Sequence, residues 1–203
     1  WRLFANRQRE LLGLRNTLEQ WAGADAQRLR SVEDVIECWR QGYDRDRSAH
    51  ATLNLRGEHA LPQMEADFSH VRSLHLSGAR LLAQQASDLF RPFPNVQYLE
   101  LYVRPNNLGQ VAERLASVPG ITRLSLTGPL LTYSPEVLLA LNHMTALERL
   151  SLAGKLETLD IQGLTALRRL TVSGTLETWP QGLLALEHLE FLDLAQTQLR
   201  SVP

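Results

Sequence analysis

A six-residue pattern, apolar-x-x-Leu-x-Leu, returns six times in this chain, as VRSLHL, VQYLEL, ITRLSL, LERLSL, LRRLTV and LEFLDL. The first core leucines are Leu74, Leu99, Leu124, Leu150, Leu170 and Leu192, so the steps are 25, 25, 26, 20 and 22 residues. An incomplete earlier copy, TLNLRG, places Leu53 another 21 residues upstream. Alternation of Leu-x-Leu sends both leucines to one face of a short strand. One such strand cannot bury that face alone, so copies must stack side by side and share a continuous core.

Parallel strands need a crossover, and the remaining residues of each copy supply it. The periods fall in the leucine-rich-repeat range of about 20–29 residues. The expected fold is therefore α/β: a leucine-rich-repeat solenoid with a curved parallel sheet and a convex side of mixed helical and extended segments. Leucine accounts for 41 of the 203 residues, which fits such a core. Ser134-Pro135-Glu136 reads as N-cap, first-turn proline and first-turn acid of a helix over VLLALNHM. GQVAERLASV has helical spacing through Val111, Leu115 and Val118. The shorter outer segments TLDIQGL and TWPQGLLAL are expected to be extended or one 3₁₀ turn.

Glycine follows the strand in five copies, at Gly57, Gly78, Gly128, Gly154 and Gly174, and is expected to let the chain turn away from the sheet. The asparagine common after that turn in such repeats is absent. Glu58, Ala79, Arg104, Pro129, Lys155, Thr175 and Thr197 stand there instead.

Residues 1–50 carry no Leu-x-Leu copy and are read as an N-terminal helical cap, with the repeats over 51–203. Phe4, Leu11, Leu14, Leu18 and Trp21 form one helical stripe, which Gly23 interrupts. Ser31-Val32-Glu33-Asp34 reads as the start of a second helix with Val32, Val35, Ile36 and Trp39 on one face and Gly42 at its stop. The task of these helices is to cover the first strand's exposed core.

Little in the chain points to chemistry. Cys38, the one cysteine, reads as a small apolar residue of the second helix rather than a nucleophile, since no His shares that helix. No phosphate-binding loop, HExxH zinc motif or GxSxG elbow occurs, and the six His lack metal-ligand spacing. No catalytic residue, metal or cofactor is assigned. A net charge of −1 argues against a globally basic nucleic-acid binder, and no apolar run reaches the length of a membrane span.

With the leucines inward, the residues between them line the open side as a grid. One column runs Thr52, Ser73, Tyr98, Arg123, Arg149, Arg169, Phe191. The middle column runs Asn54, His75, Glu100, Ser125, Ser151, Thr171, Asp193, and the third Arg56, Ser77, Tyr102, Thr127, Ala153, Ser173, Ala195. Three arginines in adjacent copies make a ladder that serves no purpose in folding. Arg and Tyr are favoured at the centres of protein interfaces. Tyr98, Glu100, Tyr102, Arg123, Arg149, Arg169, Phe191 and Asp193 are therefore the candidate partner-binding residues. The expected partner is a protein with an acidic patch, and Glu148 and Glu190 are the acids positioned to neutralise the ladder in part.

The closing stretch LETWPQGLLALEHLEFLDLAQTQLRSVP resembles the short bacterial repeat with a proline step after the turn, here Trp179-Pro180 and Val202-Pro203. ATLNLRGEHALPQMEADFSHVRSLHLSG, preceded by ECWRQG, is similar to the entry into the repeats of large secreted proteobacterial effectors of the IpaH/SspH type. The likeness spans residues 31–203 and is best over 147–203. It implies a substrate-selecting repeat region ahead of a C-terminal ubiquitin-ligase (NEL) domain, in a virulence protein secreted by a bacterium into the host cell. The ligase cysteine of that family lies in the other domain. Cys38-Trp39-Arg40 has arginine where a Cys-x-Asp motif needs an acid, so no residue here takes its role. The alternative is a repeat protein for binding or adhesion with no enzyme attached. Opening on Trp1 and closing on LRSVP, the sequence reads as a piece of a longer protein, with a processed mature chain as the alternative.

Overall fold

The computed structural model describes residues 1–44, 51–118 and 120–200. The boundary drawn at residue 50 and the Val202-Pro203 step lie outside the described residues. Over the described residues the chain is an α/β protein with N-terminal helices and eight strands, and it divides into two compact units after Val96. Among the described residues, no helix is long and apolar enough to cross a membrane.

The first unit opens with α1 (Arg2–Ala22) and α2 (Ala26–Gln41). Leu14, Leu18 and Ala22 are the buried side of α1, while Phe4 at the near end of the stripe remains 62% exposed. Gly23 ends α1 in a positive-φ conformation. The second helix begins five residues earlier than its Ser31 signal. Asp25 is the N-cap, its carboxylate accepting from Gln27 N–H and Arg28 N–H at 2.9 Å each. Ser31 sits inside the helix, fully buried, and its hydroxyl donates to the Arg56 carbonyl at 3.1 Å. The side chain that resembles a cap is thus spent on a tertiary contact. Gly42 does mark the stop, but its φ is ordinary. A Cβ there would strike the His70 ring, whose Nε2–H donates to the Cys38 carbonyl at 2.8 Å.

Strands β1 (Ala51–Leu55) and β2 (Val71–Ser77) pair in parallel, matching Leu53 with Leu74 and Leu55 with Leu76. All four leucines are buried, each contributing about 1.5–3 kcal/mol by leaving water. Helix α2 packs on β1. Gly78 does not turn the chain after β2. It opens α3 (Gly78–Ala83), whose N-cap Ser77 accepts from Arg80 N–H at 3.2 Å and donates to the Gly57 carbonyl at 3.0 Å. Helix α4 (Ala86–Phe90) follows.

The second unit contains β3 (Tyr98–Tyr102), α5 (Leu108–Leu115), β4 (Arg123–Thr127), β5 (Thr132–Tyr133), α6 (Pro135–Asn142), β6 (Arg149–Leu156), β7 (Arg169–Leu176) and β8 (Phe191–Asp193). Among the described residues, the pairings within this unit are parallel, in the order β3-β4-β6-β7-β8, with β5 added beside the far end of β6. Leu99, Leu124, Leu150 and Leu170 are in register and buried, as are Leu101, Leu126, Leu152 and Val172. Ser134 caps α6 by accepting from Val137 N–H at 3.3 Å. The late outer segments carry one 3₁₀ turn, Leu183–Ala185, and one bridge between Asp160 and Gln181.

At Gly154 and Gly174 the strands run on instead of turning away, to Leu156 and Leu176, which are both buried. The two glycines face each other across β6 and β7 at φ 146° and 135°. A Cβ on Gly174 would overlap the Gly154 backbone, so their smallness serves close strand approach.

Candidate functional site

The second unit repeats one small device at the starts of β4, β6, β7 and β8. The Gln97 carbonyl accepts from both Thr122 N–H and Arg123 N–H. The Thr122 carbonyl does the same for Glu148 and Arg149, Glu148 for Arg168 and Arg169, and Arg168 for Glu190 and Phe191. Each strand is therefore entered at the same height as its neighbour. The residue just before the first core leucine is then forced into line with its counterparts: Tyr98, Arg123, Arg149, Arg169 and Phe191 are paired in succession.

Because their leucine neighbours point inward, these side chains point to the opposite face. Arg123, Arg149 and Arg169 are all exposed. Beside them run Ser125, Ser151 and Thr171, half-buried and uncharged. Together these residues line a hollow of about 340 Å³ floored by Leu124 and Leu150, with Tyr98 at one end and Phe191 at the other. The Arg169 guanidinium lies 5.5 Å from the centre of the Phe191 ring, in the range of a cation–π contact.

Among the described residues, none of the three guanidinium groups has a carboxylate within ion-pair distance. Among the described residues, the acids expected to neutralise them in part form no ion pair with them. Glu190 is paired with Arg168 at 2.6 Å, and Glu148 contributes its backbone carbonyl to the strand entry. Adjacent strands are about 4.8 Å apart, at which distance two unit charges repel by somewhat under about 1 kcal/mol in water. The ladder thus holds three cations together at a modest cost that a bound anion would reverse.

The other candidate residues are placed differently. Glu100 is half-buried and accepts from the Tyr98 hydroxyl at 3.0 Å. Burial first, and that carboxylate second, push the Tyr98 phenol above its ordinary value, so it stays neutral and donates. Asp193 is paired with Thr171, but its carboxylate accepts from Ala195 N–H at 2.8 Å and closes a turn. Tyr102, opposite Thr127, is 55% exposed. Tyr98, the three arginines and Phe191 line the hollow, whereas Glu100, Tyr102 and Asp193 do not.

A larger hollow, about 570 Å³, lies in the first unit and was not visible in the sequence. It gathers Arg9 and Arg91 with Glu10, Glu65 and Asp88, so its charges are mixed. Glu10 is also occupied: its carboxylate accepts from Trp39 Nε1–H at 3.0 Å and from Asp67 N–H at 2.7 Å. Cys38 is buried, and burial pushes its thiol up to about 12, which keeps it protonated and unreactive at neutral pH. Among the described residues, no three His, Cys, Asp or Glu side chains are grouped to hold a metal ion.

Arg80 has no signal in the sequence. It is 1% exposed, with its guanidinium donating to the His59 and Arg56 carbonyls while Nε finds no partner. Burial lowers its pKa to about 10, which still leaves it charged at neutral pH. Its role is to pin the 56–59 turn.

No protein-family model, no curated protein and no solved structure matches this chain.

Proposed function

We propose that this chain is a leucine-rich-repeat solenoid that recognises another protein, gripping an acidic patch of it with Arg123, Arg149 and Arg169. One observation carries the reading. Three exposed guanidinium groups stand in register on neighbouring strands, bracketed by Tyr98 and Phe191, with no carboxylate of the described residues paired to them. The repeat geometry alone does not require arginine there, because Ser or Thr would satisfy the same exposed strand position.

Two features support the repeat solenoid specifically. The Leu-x-Leu period is matched by the parallel register from β3 to β7, and the doubled backbone bond recurs at the entries to β4, β6, β7 and β8. By its likeness to the IpaH/SspH type, the module serves a bacterial effector secreted into the host cell. It selects substrate for a ubiquitin-ligase domain that lies outside this chain.

The test has two arms. Replacing all three arginines by serine is expected to weaken partner binding and flatten its dependence on salt, because each lost cation removes a screened attraction. Unchanged affinity and salt slope reject the ladder as the contact. Ubiquitin-chain assembly by the full-length protein with a charged conjugating enzyme tests the ligase assignment. A full-length protein inert in that assay leaves a binding or adhesion repeat protein.

A further inference from the structure

The ladder's spacing selects the shape of the acidic partner. We infer that it receives an acidic α-helix lying across the strands, along the line Tyr98, Arg123, Arg149, Arg169, Phe191. This rests on the proposed recognition of an acidic protein and narrows it to one secondary structure with one spacing.

The argument is a comparison of periods. Neighbouring strands are about 4.8 Å apart, so Arg123 and Arg169 stand about 9.6 Å apart at the backbone, two strands along. Carboxylates at i, i+4 and i+7 of a helix share one face and advance about 10.5 Å over the two steps, at 1.5 Å per residue. The mismatch is about 1 Å, which an arginine side chain absorbs without splaying. An extended peptide laid along the same line repeats its face every second residue, about 6.7 Å. Over two steps it overshoots the ladder by about 4 Å, so its outer carboxylates lose their guanidinium partners.

The ends of the hollow extend the same match. Tyr98 lies one strand before Arg123, and Phe191 one strand after Arg169. The five-residue line covers about 19 Å, the length of about 13 helical residues. A fitting helix carries apolar side chains one helical step outside its first and last acids, set against the two rings. Ser125, Ser151 and Thr171 beside the ladder are short and uncharged, which leaves room for a cylinder rather than for interdigitating side chains. Their hydroxyls can donate to carboxylate oxygens that the guanidinium groups leave open.

The experiment uses the whole chain and lactam-stapled peptides labelled for fluorescence anisotropy. The matched peptide is helical, with Glu at i, i+4 and i+7 and Leu at i−3 and i+11. A second helix has the same composition with its Glu residues distributed round the axis, and a third peptide, broken by prolines, presents the same acids in extended form. The matched helix is expected to bind about tenfold tighter than either control, a difference that Arg123→Ser/Arg149→Ser/Arg169→Ser removes. Arg149→Glu is expected to lose the matched peptide and to regain one whose middle Glu is changed to Arg, while the same peptide gains nothing at Arg123→Glu.

Equal binding of all three peptides, still dependent on the arginines, overturns the helix and leaves acidic recognition standing. No binding by any acidic peptide overturns both. Displacement of the matched helix by an equal concentration of a single-stranded oligonucleotide overturns it in favour of a nucleic acid.

Discussion

Gly174→Ala is the substitution whose effect follows most directly from the backbone. Gly174 on β7 is paired with Gly154 on β6 at φ 135° and 146°. The nearest atoms to an added Cβ are the O, C and N of Gly154, and backbone atoms cannot swing aside as a side chain would. Accommodating the Cβ carries two costs at once. Holding the conformation costs about 1–3 kcal/mol for an alanine at positive φ. Parting the strands forfeits about two ladder hydrogen bonds at a net 0.5–1.5 kcal/mol each. A combined loss of about 2–6 kcal/mol is large beside the 5–15 kcal/mol of an ordinary domain. Urea unfolding followed by far-ultraviolet circular dichroism is the assay. With a slope of about 1–3 kcal/mol per molar, the midpoint is expected to fall by about 1 M or more. Hydrogen exchange is expected to show the loss at Leu150–Leu156 and Leu170–Leu176. A variant within about 0.5 kcal/mol of the wild type, with those amides equally protected, refutes the close-approach argument.

Other substitutions test separate parts. Gly13, in the middle of α1, has open space where a Cβ would go, so Gly13→Ala is expected to stabilise by about 0.5–1 kcal/mol, read as a higher urea midpoint. Arg80→Ala leaves the His59 carbonyl without its guanidinium donor and opens a cavity, and calorimetry is expected to show a loss of about 2–4 kcal/mol. The Cys38 thiol is expected to react with iodoacetamide at pH 8.5 about a hundredfold more slowly in the native chain than in urea. Its folded pKa of about 12 lies above the ordinary 9.0. The unfolded chain therefore releases this proton first, and the stabilising contribution, whole below pH 9.0, is lost as pH rises through about 12. A Cys38→Ala variant is expected to lose less stability than the wild type across that window.

The arginine column was legible because two periodicities coincide. Leu-x-Leu fixes which side chains share a face, and the in-phase return of the pattern fixes which residues of neighbouring strands align. The cap helices were legible in kind, but their bounds were not. Asp25 and Ser31 are both good N-caps by composition. What decided between them was a tertiary acceptor, the Arg56 carbonyl, which no local pattern announces. Gly78, Gly154 and Gly174 look alike in sequence, each following a strand pattern. They serve as a helix start and as two points of strand contact, because Ser77 has a hydroxyl to cap with and Leu156 and Leu176 have a core to reach. Arg80 and the hollow around Glu10 left no trace, since both depend on residues brought together from distant parts of the chain.

The most direct test of the recognition claim is to watch the three arginines themselves. With side-chain Nε–Hε signals assigned by single Arg→Lys variants, the matched acidic helix is titrated into ¹⁵N-arginine-labelled protein. The signals of Arg123, Arg149 and Arg169 are expected to move together along one saturation curve, while Arg168, held by Glu190, stays in place. Shifts scattered over arginines elsewhere in the chain, with these three unmoved, contradict the account.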